Sequence, residues 1–155
     1  VLFRSQEIRQ WFHGPLALSG SIANGRSILA ALAMGADFAY MGSAFIATEE
    51  ARASDEYKQC IVQSNSDDIV YSNLFTGVHG NYLAPSIRNA GMDPEHLPES
   101  DPSKMDFGGE KTKAWKDIWG CGQGIGVIDK VQSTADLVAQ LKREFAEAKK
   151  QLQMA

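Results

Sequence analysis

Short apolar runs alternate with amphipathic stretches along the first third of the chain. In residues 6–13, QEIRQWFH, Ile8, Trp11 and Phe12 fall on one face at helical spacing, and Gly14-Pro15 ends the pattern. Leu16–Ser19 is a brief apolar run and predicts a buried strand. Arg26–Met34 places Ile28, Leu29 and Leu32 on the inward face of a helix, with Gly35 as its C-terminal stop. Asp37–Ile46, DFAYMGSAFI, reads as a second strand with a glycine inside it, and Thr48 as the cap of a helix running to about Ser64.

The middle of the chain is less regular. Asp68–Leu74 predicts a strand, and GVHGNYLAPSIRNAG mixes a glycine-rich loop with a short helix ending at Gly91. Residues 92–110, rich in proline and acid, predict a surface loop. KAWKDIWGCGQGIGVI reads as a helix running into a glycine loop, with Trp115 and Trp119 on one helical face. Ser133 opens the last helix, with Asp136 at the capping-box position and Leu137, Val138, Leu141, Phe145, Ala148 and Leu152 as its apolar stripe.

The order α-β-α-β-α with short connections is the pattern of a parallel sheet with crossover helices. Two such strands cannot complete a sheet, because both of their outer edges need partners. The chain also begins without Met. The expectation is a single truncated α/β domain over 1–155 whose N-terminal strands are absent. Residues 1–64 form its last βα units, 65–132 an appended segment with loops, and 133–155 a closing helix.

Composition narrows the function classes. The chain has 155 residues, 44% hydrophobic and 22% charged, which is ordinary for a globular protein. A net charge of −4 without a long run of one sign argues against nucleic acid or an anionic membrane as partner. No apolar stretch approaches the ~18 residues of a membrane span, and the first residues contain no signal-peptide core. Cys60 and Cys121 have no metal-ligand spacing and are expected to be reduced thiols in a cytoplasmic protein. No acid cluster has a metal-binding pattern, so no metal is expected.

The chemistry lies where the strands end. Leu16–Leu18 gives way to Ser19-Gly20-Ser21 just before a helix, and Gly42-Ser43 lies one strand–helix unit later. In a parallel sheet both turns sit at the same C-terminal edge. Small residues let backbone N–H groups approach an anion, a helix N-terminus adds a favourable dipole, and Ser21 and Ser43 each carry a hydroxyl. A tight turn with no ligand remains the other explanation. In eight-stranded βα barrels a phosphate site is frequently built after the last two strands.

The stretch LALSGSIANGRSILAALAMGADFAYMGSAFIATEEA, with GVHGNYLAPSIRNAGMDPEHLP and KAWKDIWGCGQGIGVID, closely resembles the nitronate monooxygenases, once called 2-nitropropane dioxygenases. That resemblance covers nearly the whole chain. It implies the C-terminal portion of a (β/α)8 TIM barrel with an appended loop and helix segment. It also implies FMN as cofactor and oxidation of alkyl nitronates by dioxygen to a carbonyl compound and nitrite. On this resemblance Gly20 and Ser21 match the first phosphate turn, where many members have two glycines. Tyr40, Met41, Gly42 and Ser43 match the second, where threonine is commoner at the last place.

The family's catalytic histidine lies upstream of the first phosphate turn. Only His13 precedes Ser19 here, and it matches nothing in that motif, so no catalytic residue is assigned to this chain. His79, among glycines, and Gln123, in a loop that could fold over the barrel mouth, are possible active-site residues; a surface histidine and a plain connector are the alternatives. His96 is expected to be solvated. Two other functions stay open: another FMN-dependent TIM-barrel oxidoreductase such as an enoyl-thioester reductase, and a non-catalytic phosphate-ligand binding fragment. The partners expected are a small-molecule nitronate and dioxygen.

Overall fold

The computed structural model describes residues 4–100 and 117–153. Its first half is built on a parallel pair. Strand β1 (Ala17–Ser19) lies beside β2 (Phe38–Tyr40), with Ala17 opposite Phe38 and Ser19 opposite Tyr40. Helix α1 (Arg4–Arg9) precedes them and α2 (Gly25–Ala33) crosses between them. Leu18 and Ala39 face α2, where they meet Ala31, Ile22 and Ala36. The opposite face carries Phe38 and Tyr40, which are 59% and 67% exposed. Both faces of these strands carry apolar residues, as the sequence suggests, but among the described residues only one is covered.

Helix α2 starts where its chemistry allows. Asn24 accepts the Ser27 N–H at 2.8 Å, and Ser27 Oγ accepts the Asn24 N–H at 3.1 Å, a reciprocal cap. Its inward residues are Ala31 and Ile28; Leu32 lies at the surface. The helix is wedged between the sheet, which Ala31 touches, and α6 (Thr134–Gln153), which Ile28 touches through the cluster of Ala44, Leu137 and Leu141. At the start of α6, Ser133 and Asp136 bond reciprocally, at 2.7 Å between side chains and 3.1 Å from the Asp136 N–H. Leu137, Leu141 and Ala148 are its buried stripe, whereas Val138 and Leu152 reach solvent.

The single strand expected over 37–46 is divided. At Gly42 (φ −118°, ψ −65°) the backbone leaves the extended region, and Phe45 and Ile46 donate back to the Gly42 carbonyl. Ser43–Ile46 is therefore one helical turn, α3. Thr48 is not a helix cap. Its hydroxyl donates to the Phe45 carbonyl at 2.8 Å, and its backbone pairs with Gln132. The next helix, α4 (Asp55–Gln63), begins at Ser54, whose hydroxyl accepts the Tyr57 N–H.

The glycine-rich stretch after residue 76 holds a strand rather than only a loop. Strand β3 (Ile69–Ser72) pairs antiparallel with β4 (Gly80–Leu83), which leads directly into α5 (Ala84–Asn89). On its other side β4 meets the chain near Gly120: Leu83 donates to the Trp119 carbonyl at 2.8 Å and Cys121 to the Asn81 carbonyl at 3.2 Å. Leu83, Ile61, Ala47, Cys121 and Ile125 form the core here, with Tyr57, Cys60 and Trp119 packed against it. Both cysteines are free thiols. Burial pushes the Cys121 thiol up to about 12 and the Tyr57 phenol up to about 12. Residues 101–110 of the expected acidic loop, and Trp115 with most of the helix assigned to it, lie outside the described residues. No helix among the described residues is long and apolar enough to cross a membrane.

Candidate functional site

At the C-terminal ends of β1 and β2 a cleft of about 210 Å³ opens. It gathers Ser19 to Ala23 from the first turn, Tyr40, Gly42 and Ser43 from the second, and Gly122 and Gly124 from the late glycine loop. The parallel register puts Ser19 beside Tyr40, so the two turns leave the sheet side by side. Of the residues expected at a site, Gly20, Ser21, Tyr40, Gly42 and Ser43 line this cleft. Met41 belongs to the same turn, but its side chain packs on the cluster of Ala44, Leu137 and Leu141.

The first turn has an unusual backbone. Gly20 has φ +116° and Ser21 φ +49°, so two successive residues are left-handed. Glycine tolerates this freely, and serine does so at a cost of roughly 1–2 kcal/mol. No hydrogen bond within the described residues takes the N–H of Ser21 or Ile22. The N–H of Ser43 heads a helical turn, where no intrahelical acceptor is in reach. A Cβ built at Gly20 or Gly42 would meet nothing within 4 Å. Donors without acceptors thus stand around open space, and among the described residues no charged side chain lines it.

One element of the anticipated anion site is already spoken for. The N-terminus of α2 was expected to face the ligand with its dipole. Instead Glu144 of α6 accepts the Gly25 N–H at 2.7 Å, and Asn24 caps the next turn. A carboxylate already occupies the favourable end of that dipole, so the donors available to an anion come from the turns themselves.

His79 and Gln123 are placed elsewhere. The His79 ring stacks on Tyr71 with 4.8 Å between centroids, at the exposed tip of the β3–β4 hairpin. Gln123 is exposed and does not line the cleft. Its neighbours do. Gly122 donates its N–H to Ser43 Oγ at 2.8 Å, and a Cβ at Gly124 would sit 2.9 Å from the Ser21 carbonyl carbon and oxygen. The loop expected to fold over the barrel mouth does reach the cleft, through these two glycines rather than through Gln123; its signal in the sequence is the alternation G-C-G-Q-G. His13 is exposed, and His96 pairs with Asp93 at 2.7 Å. None of the three histidines lines the cleft.

Comparisons with known proteins bear on the family and the fold. A nitronate monooxygenase from Paraburkholderia phytofirmans is 29% identical over 145 residues, which cover 89% of this chain and 40% of that protein. A nitroalkane oxidase from Streptomyces ansochromogenes superposes with a TM-score of 0.72 at 26% identity, over 97% of this chain and 45% of that one. FabK from Thermotoga maritima has the same TM-score at 21% identity, over 98% of this chain and 50% of that one, a likeness of fold. Both structural neighbours are TIM-barrel enzymes, and this chain is α/β. It spans less than half the length of the curated relatives it matches. The family profile described as nitronate monooxygenase matches residues 7–144, so the chain belongs to the nitronate monooxygenase family.

Proposed function

We propose that the chain supplies the phosphate end of an FMN site in an oxidoreductase that converts alkyl nitronates and dioxygen to a carbonyl compound and nitrite. The observation that carries this reading is the shared cleft. Two small-residue turns, one strand–helix unit apart, stand around open space with unused donors. A phosphate monoester presents only acceptors there, and it fits a lining made of N–H and O–H groups without ion pairing. On the same reading β1 and β2 are neighbouring strands of a (β/α)8 barrel, and residues 65–132 are appended to it.

FMN held there would supply the redox chemistry that links nitronate oxidation to dioxygen. The share of this chain is to bind and orient. Ser21, Ile22 and Ser43 offer N–H groups, Ser43 adds a hydroxyl, and Gly20 and Gly42 keep the space above the turns clear. Because His13, His79 and His96 all lie off the cleft, proton transfer on this reading is served by a group outside it.

The test is an oxygen-electrode assay of the complete native polypeptide reconstituted with FMN. Addition of an alkyl nitronate is expected to give dioxygen uptake with nitrite release. Nicotinamide-dependent reduction of an enoyl thioester, with no nitrite from nitronate, would contradict this assignment and favour the reductase alternative.

A further inference from the structure

The loop after Trp119 reaches the cleft from a firmly held root. The Tyr57 hydroxyl donates to the Gly120 carbonyl, and the Tyr57 ring stacks on Trp119 with 5.2 Å between centroids. Strand β4 bonds both Trp119 and Cys121 through backbone groups. From that root the loop extends Gly122 to Ser43 and Gly124 to Ser21, one contact on each turn. Gly124 touches the Ser21 backbone so closely that no side chain fits between them.

A serine hydroxyl has one proton to donate and two positions to accept. At Ser43 one accepting position is filled by the Gly122 N–H. No acceptor among the described residues takes the Ser43 proton. Hydrogen bonds in a chain polarise one another, on the order of 10–30% per bond, so an oxygen that accepts is also a better donor. The cleft that Ser43 lines is where an acceptor for that proton can sit.

We propose that Gly122 is a positioning residue of the phosphate cleft: its N–H sets the Ser43 hydroxyl as a donor to a bound phosphate monoester, while Gly124 holds the loop against Ser21. The late loop is then the third wall of a site whose other two walls are the strand-end turns. This proposal rests on the cleft being the FMN phosphate site. It adds a group that acts through Ser43 rather than on the ligand.

The test is a double-mutant cycle in the complete native polypeptide, titrated with FMN and, as the probe lacking phosphate, riboflavin. Gly122 has φ −81° and ψ 159°, a backbone that proline can adopt. Gly122→Pro removes the N–H and puts a ring carbon where its hydrogen pointed, so Ser43 Oγ loses its place. FMN affinity is expected to fall about tenfold, with riboflavin affinity unchanged within about twofold. Gly122→Ala keeps the N–H, and its Cβ would lie 3.5 Å from Ser43 Oγ, an ordinary contact. It is expected to restore FMN affinity to within about threefold of wild type. In a Ser43→Ala background, Gly122→Pro is expected to add nothing further.

An equal loss from Gly122→Pro in both backgrounds would overturn the proposal, as would equal losses for FMN and riboflavin. Wild-type protein that binds FMN no better than riboflavin would overturn the phosphate assignment itself, a distinct result.

Discussion

Asp37 joins three separate stretches of chain through one carboxylate. It accepts the Leu16 N–H at 2.8 Å and pairs with Arg9, whose guanidinium also holds the carbonyls of Gly35 and Gly14 at 2.8 and 2.7 Å. The Leu16 N–H, and then Arg9, hold the Asp37 carboxyl below its usual range. The folded state therefore favours the ionised form. That contribution is present above the unfolded carboxylate value, about 3.9, and is lost as pH falls through the lower folded value. Asp37→Asn is expected to lower Tm near neutral pH and to flatten the fall of Tm as pH drops below about 4. Melting curves across that range would show it, and an unchanged acid slope would contradict it. The network itself was not legible in the sequence, because Arg9 and Asp37 lie 28 residues apart in elements too short to define a mutual register.

At the scale of elements, those that bury one regular face were the most legible. The 3.6-residue spacing found α2 and α6 within a residue or two, since each buries one face. The strand read over 37–46 was too long because Phe45 and Ile46 continue an apolar run after the chain has turned at Gly42. Strand β4, GNYL, was hidden because it is four residues long, opens on a glycine and buries only Leu83 fully, so it shows no alternation of its own. The contact between Gly122 and Ser43 spans 79 residues: the glycine alternation marks the loop, but not the residue it meets.

The packing of α2 on α6 has its own test. A Cβ at Gly25 would lie 2.3 Å from the Phe145 nitrogen and 2.4 Å from the Leu141 oxygen, both backbone atoms. Alanine gains about 1 kcal/mol of helix propensity over glycine. Forcing two helix backbones apart costs about 1–3 kcal/mol or more and loosens the Glu144 bond to the Gly25 N–H. Packing should therefore outweigh propensity. Gly25→Ala is expected to lower the unfolding free energy by roughly 1–3 kcal/mol in chemical denaturation, and a stabilised variant would contradict this packing.

Across the whole molecule, one face of the β1–β2 pair is covered by α2, and the other presents Phe38 and Tyr40 to solvent. The structural neighbours match nearly all of this chain with about half of theirs. Family membership and the parallel pair were legible from the long ordered motifs around the two turns. How the late loop closes on those turns was not, because it is a tertiary contact between glycines and serines with no hydrophobic signature. What unites the molecule's functional features is the cleft at the strand ends, and Gly42 offers the cleanest access to it. Its φ of −118° suits any residue, and a Cβ there meets nothing within 4 Å, so a larger side chain fills ligand space without disturbing the fold. The decisive measurement is the flavin content of purified Gly42→Leu beside wild type, in the complete native polypeptide, with Tm recorded for both. An occupied FMN phosphate site predicts an unchanged Tm of the flavin-free proteins and about tenfold or greater loss of FMN affinity. Equal FMN retention by Gly42→Leu and wild type would contradict the assignment of this cleft.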